Sequence, residues 1–279
     1  MGDGIRRWLG TARGALDRMD RMNLGLIAAG CAFFAMLSVF PALAAVIALF
    51  GFFADPGVID TQMAILAEFL PDQAFALLNG QVRALIAANS STLGWTTVLS
   101  LGFALWSARA GVSALTRGLN AIHRAPHRQG LHRVVSAYGL TLALVALALV
   151  ALAAVVVVPL VLAFAPLGAI AVEALGWAQW ALALFTVVSG IWLVYRLGPN
   201  VDRDRHSRIA PGLIVAVVLW VAVSLAFSAY LQNFGNYNRV YGSIGAVIAL
   251  LMWFYISAYV VLLGAAVNAE LARFRRLRA

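Results

Sequence analysis

Six long apolar stretches divide the sequence, at roughly 24–53, 93–116, 134–165, 177–198, 210–231 and 243–271. Each reaches the ~20 residues that a helix needs to cross ~30 Å of hydrocarbon. Lipid offers the backbone no hydrogen-bond partners, so stretches of this kind must close their own hydrogen bonds as helices. The pattern predicts an all-α fold: one transmembrane domain over 1–279, an integral membrane bundle of six transmembrane helices. The first, third and sixth stretches exceed the minimum and must tilt, bend or run past the interface. Pro41 and Pro159 fall inside spans, where the missing amide hydrogen and the ring bend a helix unless neighbours compensate. Such bends either line a cavity or are tolerated without a role.

Between the first two stretches, over 54–92, the apolar residues Ile65, Leu66, Phe69, Leu70, Phe75, Leu77, Leu78, Val82, Leu85 and Ile86 recur at near-helical spacing. Asp72 after Pro71 suits the start of a second helix. The expectation is a short helical extracytoplasmic loop on the outer surface or capping the bundle. An ordinary ordered loop is the alternative.

Charge sets the orientation. The chain has a net charge of +9, and all 20 of its basic residues are arginine. Arg6, Arg7, Arg13, Arg18 and Arg21 precede the first span, and Arg117, Arg124, Arg128 and Arg133 surround the second connection on that side. Arg203, Arg205 and Arg208 fill the third, and Arg273, Arg275, Arg276 and Arg278 follow the last span. An alternating six-span path puts all of these on one face. The other face receives Asp55, Asp60, Glu68, Asp72 and Glu173, with Arg83 and Arg239 its positive charges. The positive-inside rule makes the arginine-rich face, with both termini, cytoplasmic. Arginines explained by topology leave no call for nucleic acid, and the partners they suit are anionic lipid headgroups at the cytoplasmic face. A composition that is 63% hydrophobic and 11% charged excludes a soluble domain, for which roughly 25% charged is usual. The basic start resembles a signal peptide, but the apolar run after it is too long and no small-residue cleavage site follows, so it reads as a retained span.

Three blocks resemble one family. Ala28–Leu43 reads AAGCAFFAMLSVFPAL; Trp106-Ser107-Ala108-Arg109 is followed by Gly111, Leu115, Arg117, Leu119 and Asn120. Tyr237–Leu271 carries Tyr241-Gly242-Ser243, Gly245, Trp253 and Asn268-Ala269-Glu270-Leu271. Together they resemble the BrkB/YihY family of bacterial inner-membrane proteins over almost the whole chain. The resemblance implies a six-helix inner-membrane protein, with links to serum resistance in a pathogen and an old label as a tRNA-processing ribonuclease. The chain departs from the family at Phe34, where an aromatic hydroxyl is common, and at Ala266, where an acidic residue is common.

The candidate chemistry is sparse. Arg109, Ser113, Thr116, Arg117 and Asn120 recur at steps of three and four, forming a polar stripe on one helix face. One reading makes Arg109, Ser113, Arg117 and Asn120 contacts for a phosphate or carboxylate, held by forked guanidinium hydrogen bonds. The other has both arginines snorkelling to headgroups. Glu270 is placed to pair with Arg109 or Arg117 and, with Asn268, to join the second and sixth helices as a pairing site or switch. Arg239 and Tyr241, in an outer connection read as a tight turn over 232–243, are candidates for contacting an anionic headgroup or solute. His123, His127 and His132 invite a metal site, but Pro126 breaks their helix and neighbouring arginines repel a cation. No metal and no cofactor is expected, and the lone Cys31 permits no internal disulfide. No nucleophile, phosphate loop or metal-bound water is visible, so the chain is not read as an enzyme. The leading function is transport or export of an anionic or amphipathic solute or lipid. The alternative is a non-transporting scaffold or envelope factor, and a membrane-bound ribonuclease comes last. Ala104, Ser107, Ala108 and Gly111 permit close helix contact within the chain or in a homo-oligomer.

Overall fold

The structure, a computed structural model, describes residues 2–53, 90–126, 130–164, 169–201, 209–232 and 235–276. These form seven helices: α1 (Gly2–Arg21), α2 (Leu24–Phe53), α3 (Ser90–His123), α4 (Gly130–Phe164), α5 (Ala169–Leu197), α6 (Ala210–Gln232) and α7 (Gly235–Arg276). Helices α3 to α7 each contain a segment long and apolar enough to cross a membrane, and α1 with α2 qualifies as a sixth when taken as one bent pair. The fold is an all-α membrane bundle with five to six candidate spans. The expected extracytoplasmic loop lies outside the described residues.

Helices and apolar stretches do not share their ends. The last stretch begins near 243, yet α7 begins at Gly235 and runs for 42 residues. Its length is about 63 Å at 1.5 Å per residue, roughly twice the hydrocarbon thickness. The expected tight turn over 232–243 is therefore helical from Gly235 onward, with Arg239 and Tyr241 in the first turns of α7. Hydropathy marks the bilayer, whereas a hydrogen-bonded ladder continues through polar residues once it has started. The same holds at α3, which outruns the 93–116 stretch at both ends.

Helix α1 is an element the hydropathy pattern did not announce. Its buried positions Thr11, Ala15, Arg18 and Met19 share one face, while Arg13, Leu16, Asp17, Asp20 and Arg21 are exposed on the other. At Met22–Asn23 the chain turns by 67° into α2. Asn23 takes φ 50°, a left-handed conformation that asparagine tolerates better than most residues. Its carbonyl accepts from the amides of Leu26 and Ile27 at 3.0 and 3.3 Å, opening the next helix. The sharp bend thus falls at Asn23, while α2 continues through Pro41 and α4 through Pro159.

The chain forms two compact units, Met1–Phe33 with Arg109–Ala279, and Phe34–Ala108. In the first, α7 packs along α6 and receives α1, and α5 lies against α4 and α6. Its core joins Ala15, Leu24, Leu119, Ile122, Ala216 and Leu262, each fully buried. Small residues permit the tightest approach. A Cβ on Gly264 would overlap the Tyr195 hydroxyl and lie 2.5 Å from the Gly212 carbonyl oxygen and 2.7 Å from the Ala216 Cβ. Without a hydrophobic drive between helices in lipid, such close backbone contact supplies much of the association energy. In the second unit Phe34 meets Trp106 edge-on at 6.5 Å and Phe103 lies 5.6 Å from the same indole. Trp177 and Trp180 are 71% and 75% exposed, as rings facing lipid must be.

Candidate functional site

Polar side chains gather at the arginine-rich end of the first unit. Glu270, 2% exposed near the end of α7, accepts from Arg18 Nη2 of α1 at 2.7 Å through Oε2 and from Arg273 Nη1 at 3.0 Å through Oε1. Arg18 also donates through Nη1 to the Ile122 carbonyl at the end of α3, at 2.9 Å. One guanidinium therefore ties three helices. The room for it comes from Gly14: a Cβ there would stand 2.9 Å from Glu270 Cγ and 3.0 Å from its Cδ. Removing two charges from water is costly, and a short charge-assisted bond to the carboxylate with a second bond to a carbonyl offsets part of that cost, while Arg18 Nε stays buried with no partner among the described residues.

Two asparagines bind backbone. Asn120 of α3 is buried, and its Oδ1 accepts from the Asn200 amide just past α5 at 2.7 Å; Asn200 Nδ2 in turn donates to the Pro126 carbonyl at 3.0 Å. Asn268 of α7 accepts from the Gly212 amide at 2.7 Å and donates to the Ile209 carbonyl at 3.0 Å. Gly212 lies in the first turn of α6, whose amides have no partner within the helix, so Asn268 caps α6 from a distance. Tyr195 of α5 donates to the Val261 carbonyl at 2.6 Å.

Arg109 is different in kind. It sits near the middle of the Val98–His123 span. Its guanidinium carbon lies 4.8 Å from the centroid of the Tyr138 ring of α4, and its Nε, like that of Arg18, is buried with no hydrogen-bond partner among the described residues. The ion pairs found among the described residues join Glu270 to Arg18 and Arg273, so Arg109 has no carboxylate. A cation–π contact lowers the cost of that charge without neutralising it. Toward the arginine-rich end follow half-buried Ser113, Thr116 bonded to its own helix at Val112 O (2.8 Å), and exposed Arg117.

The predicted stripe is thus divided by use. Asn120 is taken up by Asn200, and Asn268 by the start of α6. Glu270 pairs with Arg18 and Arg273, so the expected link to Arg109 or Arg117 is replaced by one that joins α1 to α7. Among the described residues no ion pair involves Arg109 or Arg117, and Ser113 between them is half-buried. The side chains of Arg239 and Tyr241, and those of His127 and His132, lie outside the described residues. His123 Nδ1 is 2.9 Å from the Leu119 carbonyl oxygen, and no three His, Cys, Asp or Glu residues gather among the described residues. Sequence reasoning missed Arg18 and Tyr138. The signal for Arg18 was its place on the buried face of an amphipathic α1, in line with Thr11, Ala15 and Met22.

Comparison with known proteins agrees with this architecture. The family described as Virulence factor BrkB matches residues 15–279. The ribonuclease-like protein YfkH of Bacillus subtilis is 30% identical over 261 residues, covering 88% of this chain and 89% of that protein. UPF0761 membrane proteins of Xanthomonas oryzae and Xanthomonas axonopodis are 44% and 43% identical over 86 residues, which is 30% of this chain and 20% of theirs. No solved structure matches the chain. A match over nearly the full length, on a helical membrane bundle, makes this chain a member of the BrkB family of membrane proteins.

Proposed function

We propose that this protein is a non-enzymatic transporter or exporter in the bacterial cytoplasmic membrane, moving an anionic or amphipathic solute or lipid, with its arginine-rich face and both termini in the cytoplasm. The observation that carries the reading is Arg109, a permanent cation inside the Val98–His123 span, stacked on Tyr138 and with no carboxylate partner among the described residues. Holding arginine inside a span costs up to about 2.5–3.5 kcal/mol on insertion scales, the value at the centre, and intramembrane charges generally mark a pathway. An anion arriving at the guanidinium supplies the missing charge through two parallel hydrogen bonds. Arg117 and Ser113 form a graded approach from the arginine-rich face.

A scaffold reading is supported by the arginine-rich end of the first unit, where Asn120 of α3 and Asn268 and Glu270 of α7 are all engaged in holding helices together. The name of the Bacillus relative suggests a nuclease, for which neither a metal cluster among the described residues nor an activated nucleophile offers support.

The deciding experiment is reconstitution of the full chain in liposomes with labelled anionic solutes and lipids. Wild type moves at least one of them, and Arg109→Ala abolishes movement while reaching the membrane at normal abundance. Full activity in that variant removes Arg109 from any pathway, and absence of movement by wild type across the panel favours the scaffold.

A further inference from the structure

The geometry points to the source of the anion: we infer that Arg109 and Tyr138 form a lateral site for the phosphate of an anionic phospholipid, entered from the bilayer and not from a water-filled interior. The inference rests on the reading of Arg109 as an anion contact and goes on to name the ligand.

Tyr138 carries the argument. On α4 it falls in line with Val135, Leu142 and Leu149, spaced by three, four and seven residues, which places all four on one helix face. They are 60%, 38%, 54% and 52% exposed for Val135, Tyr138, Leu142 and Leu149. A helix face this apolar and this open in a membrane protein is a face against lipid. The ring that seats Arg109 therefore belongs to the lipid boundary. A soluble anion held in a central vestibule would instead call for a ring turned into the bundle.

The order of residues along α4 matches an amphiphile. α4 leaves the arginine-rich end at Gly130, so the chain passes Val134, then Tyr138, then Leu142 and Leu149 as it moves toward the bilayer centre. Headgroup chemistry at Tyr138 and hydrocarbon at Leu142 and Leu149 follow the sequence of a phospholipid in the leaflet on the arginine-rich side. On α3, Ser113 and Arg117 stand one and two helical steps closer to that surface than Arg109, spaced about 6 Å apart along the axis. A phosphodiester has one negative charge and two unesterified oxygens, which suits a single forked guanidinium. The Nε of Arg109 is buried and has no hydrogen-bond partner among the described residues, so a donor of this guanidinium is still to be satisfied.

The test uses full-length protein in phosphatidylcholine vesicles with a trace of photoactivatable phosphatidylglycerol, with adducts mapped by peptide mass spectrometry. Wild type concentrates adducts on α4 between Val134 and Ala151; unlabelled phosphatidylglycerol competes and inorganic phosphate does not. Arg109→Ala and Tyr138→Leu each lower that labelling by about tenfold or more, the size expected for losing a charge-assisted hydrogen bond or its support. Arg109→Lys retains part of it. Tyr138→Leu keeps the buried charge count unchanged, so it decides the matter if Arg109→Ala is lost from the membrane. Equal labelling in all variants overturns the site. Competition by inorganic phosphate overturns the lipid assignment and leaves soluble-anion transport standing, whereas site labelling with no transport in the liposome assay sinks transport and leaves the lipid site. Disulfide capture of Leu142→Cys as a dimer in a Cys31→Ala background, with loss of labelling, shows that a second copy covers the face and also overturns the inference.

Discussion

Glu270→Ala is expected to release α1 from the bundle. Arg18 is 9% exposed and would keep its bond to the Ile122 carbonyl while losing the carboxylate 2.7 Å away. Opposite charges about 4 Å apart attract by roughly 4 kcal/mol at an effective dielectric of 20, and deleting one member of a buried pair typically costs about 3–5 kcal/mol because the other is stranded. The second partner adds little: Arg273 is 62% exposed, and pairs screened by solvent are worth about 0–1 kcal/mol. The retained carbonyl bond places the expected loss near ~3 kcal/mol, on the order of a hundredfold in the docked-to-undocked ratio. Hydrogen exchange of purified protein in micelles would read this as lost protection over residues 10–21, and denaturant titration as a lowered midpoint. The Arg18→Ala, Glu270→Ala double variant should be less destabilised than Glu270→Ala alone, since no cation is left buried. Unchanged exchange in α1, or strictly additive losses, would refute the assignment of this pair as the fastening.

Other substitutions test the surrounding framework. Asn268→Ala removes both bonds to the start of α6 and should cost about 1–3 kcal/mol, with Asn268→Asp intermediate because it keeps the acceptor for Gly212; thermal unfolding in detergent ranks the three. Gly264→Leu drives a side chain into Tyr195, Gly212 and Ala216 and should abolish recovery of folded protein, measured by monodisperse yield. Tyr195→Phe loses one hydrogen bond to Val261 and should cost only about 0.6–1.7 kcal/mol, a range typical of interhelical bonds in bilayers and readable by the same unfolding assay.

The bundle was legible because a span is a local property: twenty apolar residues in a row declare themselves whatever else the chain does. Helix ends were not, since Gly235 to Ser243 is polar enough to resemble a turn and the continuing ladder leaves no mark in hydropathy. Helix α1 was hidden by its own charges. Arg18 reads as one more topogenic arginine until its face is counted with Thr11, Ala15 and Met19, and its partner Glu270 lies 252 residues away, beyond any periodicity. At the candidate site, the spacing of Arg109, Ser113 and Asn120 correctly put them on one stretch of helix. It could not say that Asn120 would be claimed by the Asn200 amide, or that Tyr138 would come to rest under Arg109, because those pairings are made between helices.

The distance in sequence between Arg18 and Glu270 also fixes an order of assembly. At about 5–20 residues per second, a ribosome needs roughly 13–50 s to deliver Glu270 after Arg18 has emerged. Throughout that interval the amphipathic segment is already made, carrying on its inward face a cation whose carboxylate partner does not yet exist. The fastening therefore forms only once α7 is nearly made, and a nascent chain halted before Glu270 would display an unfastened first helix to the quality-control proteases of the cell.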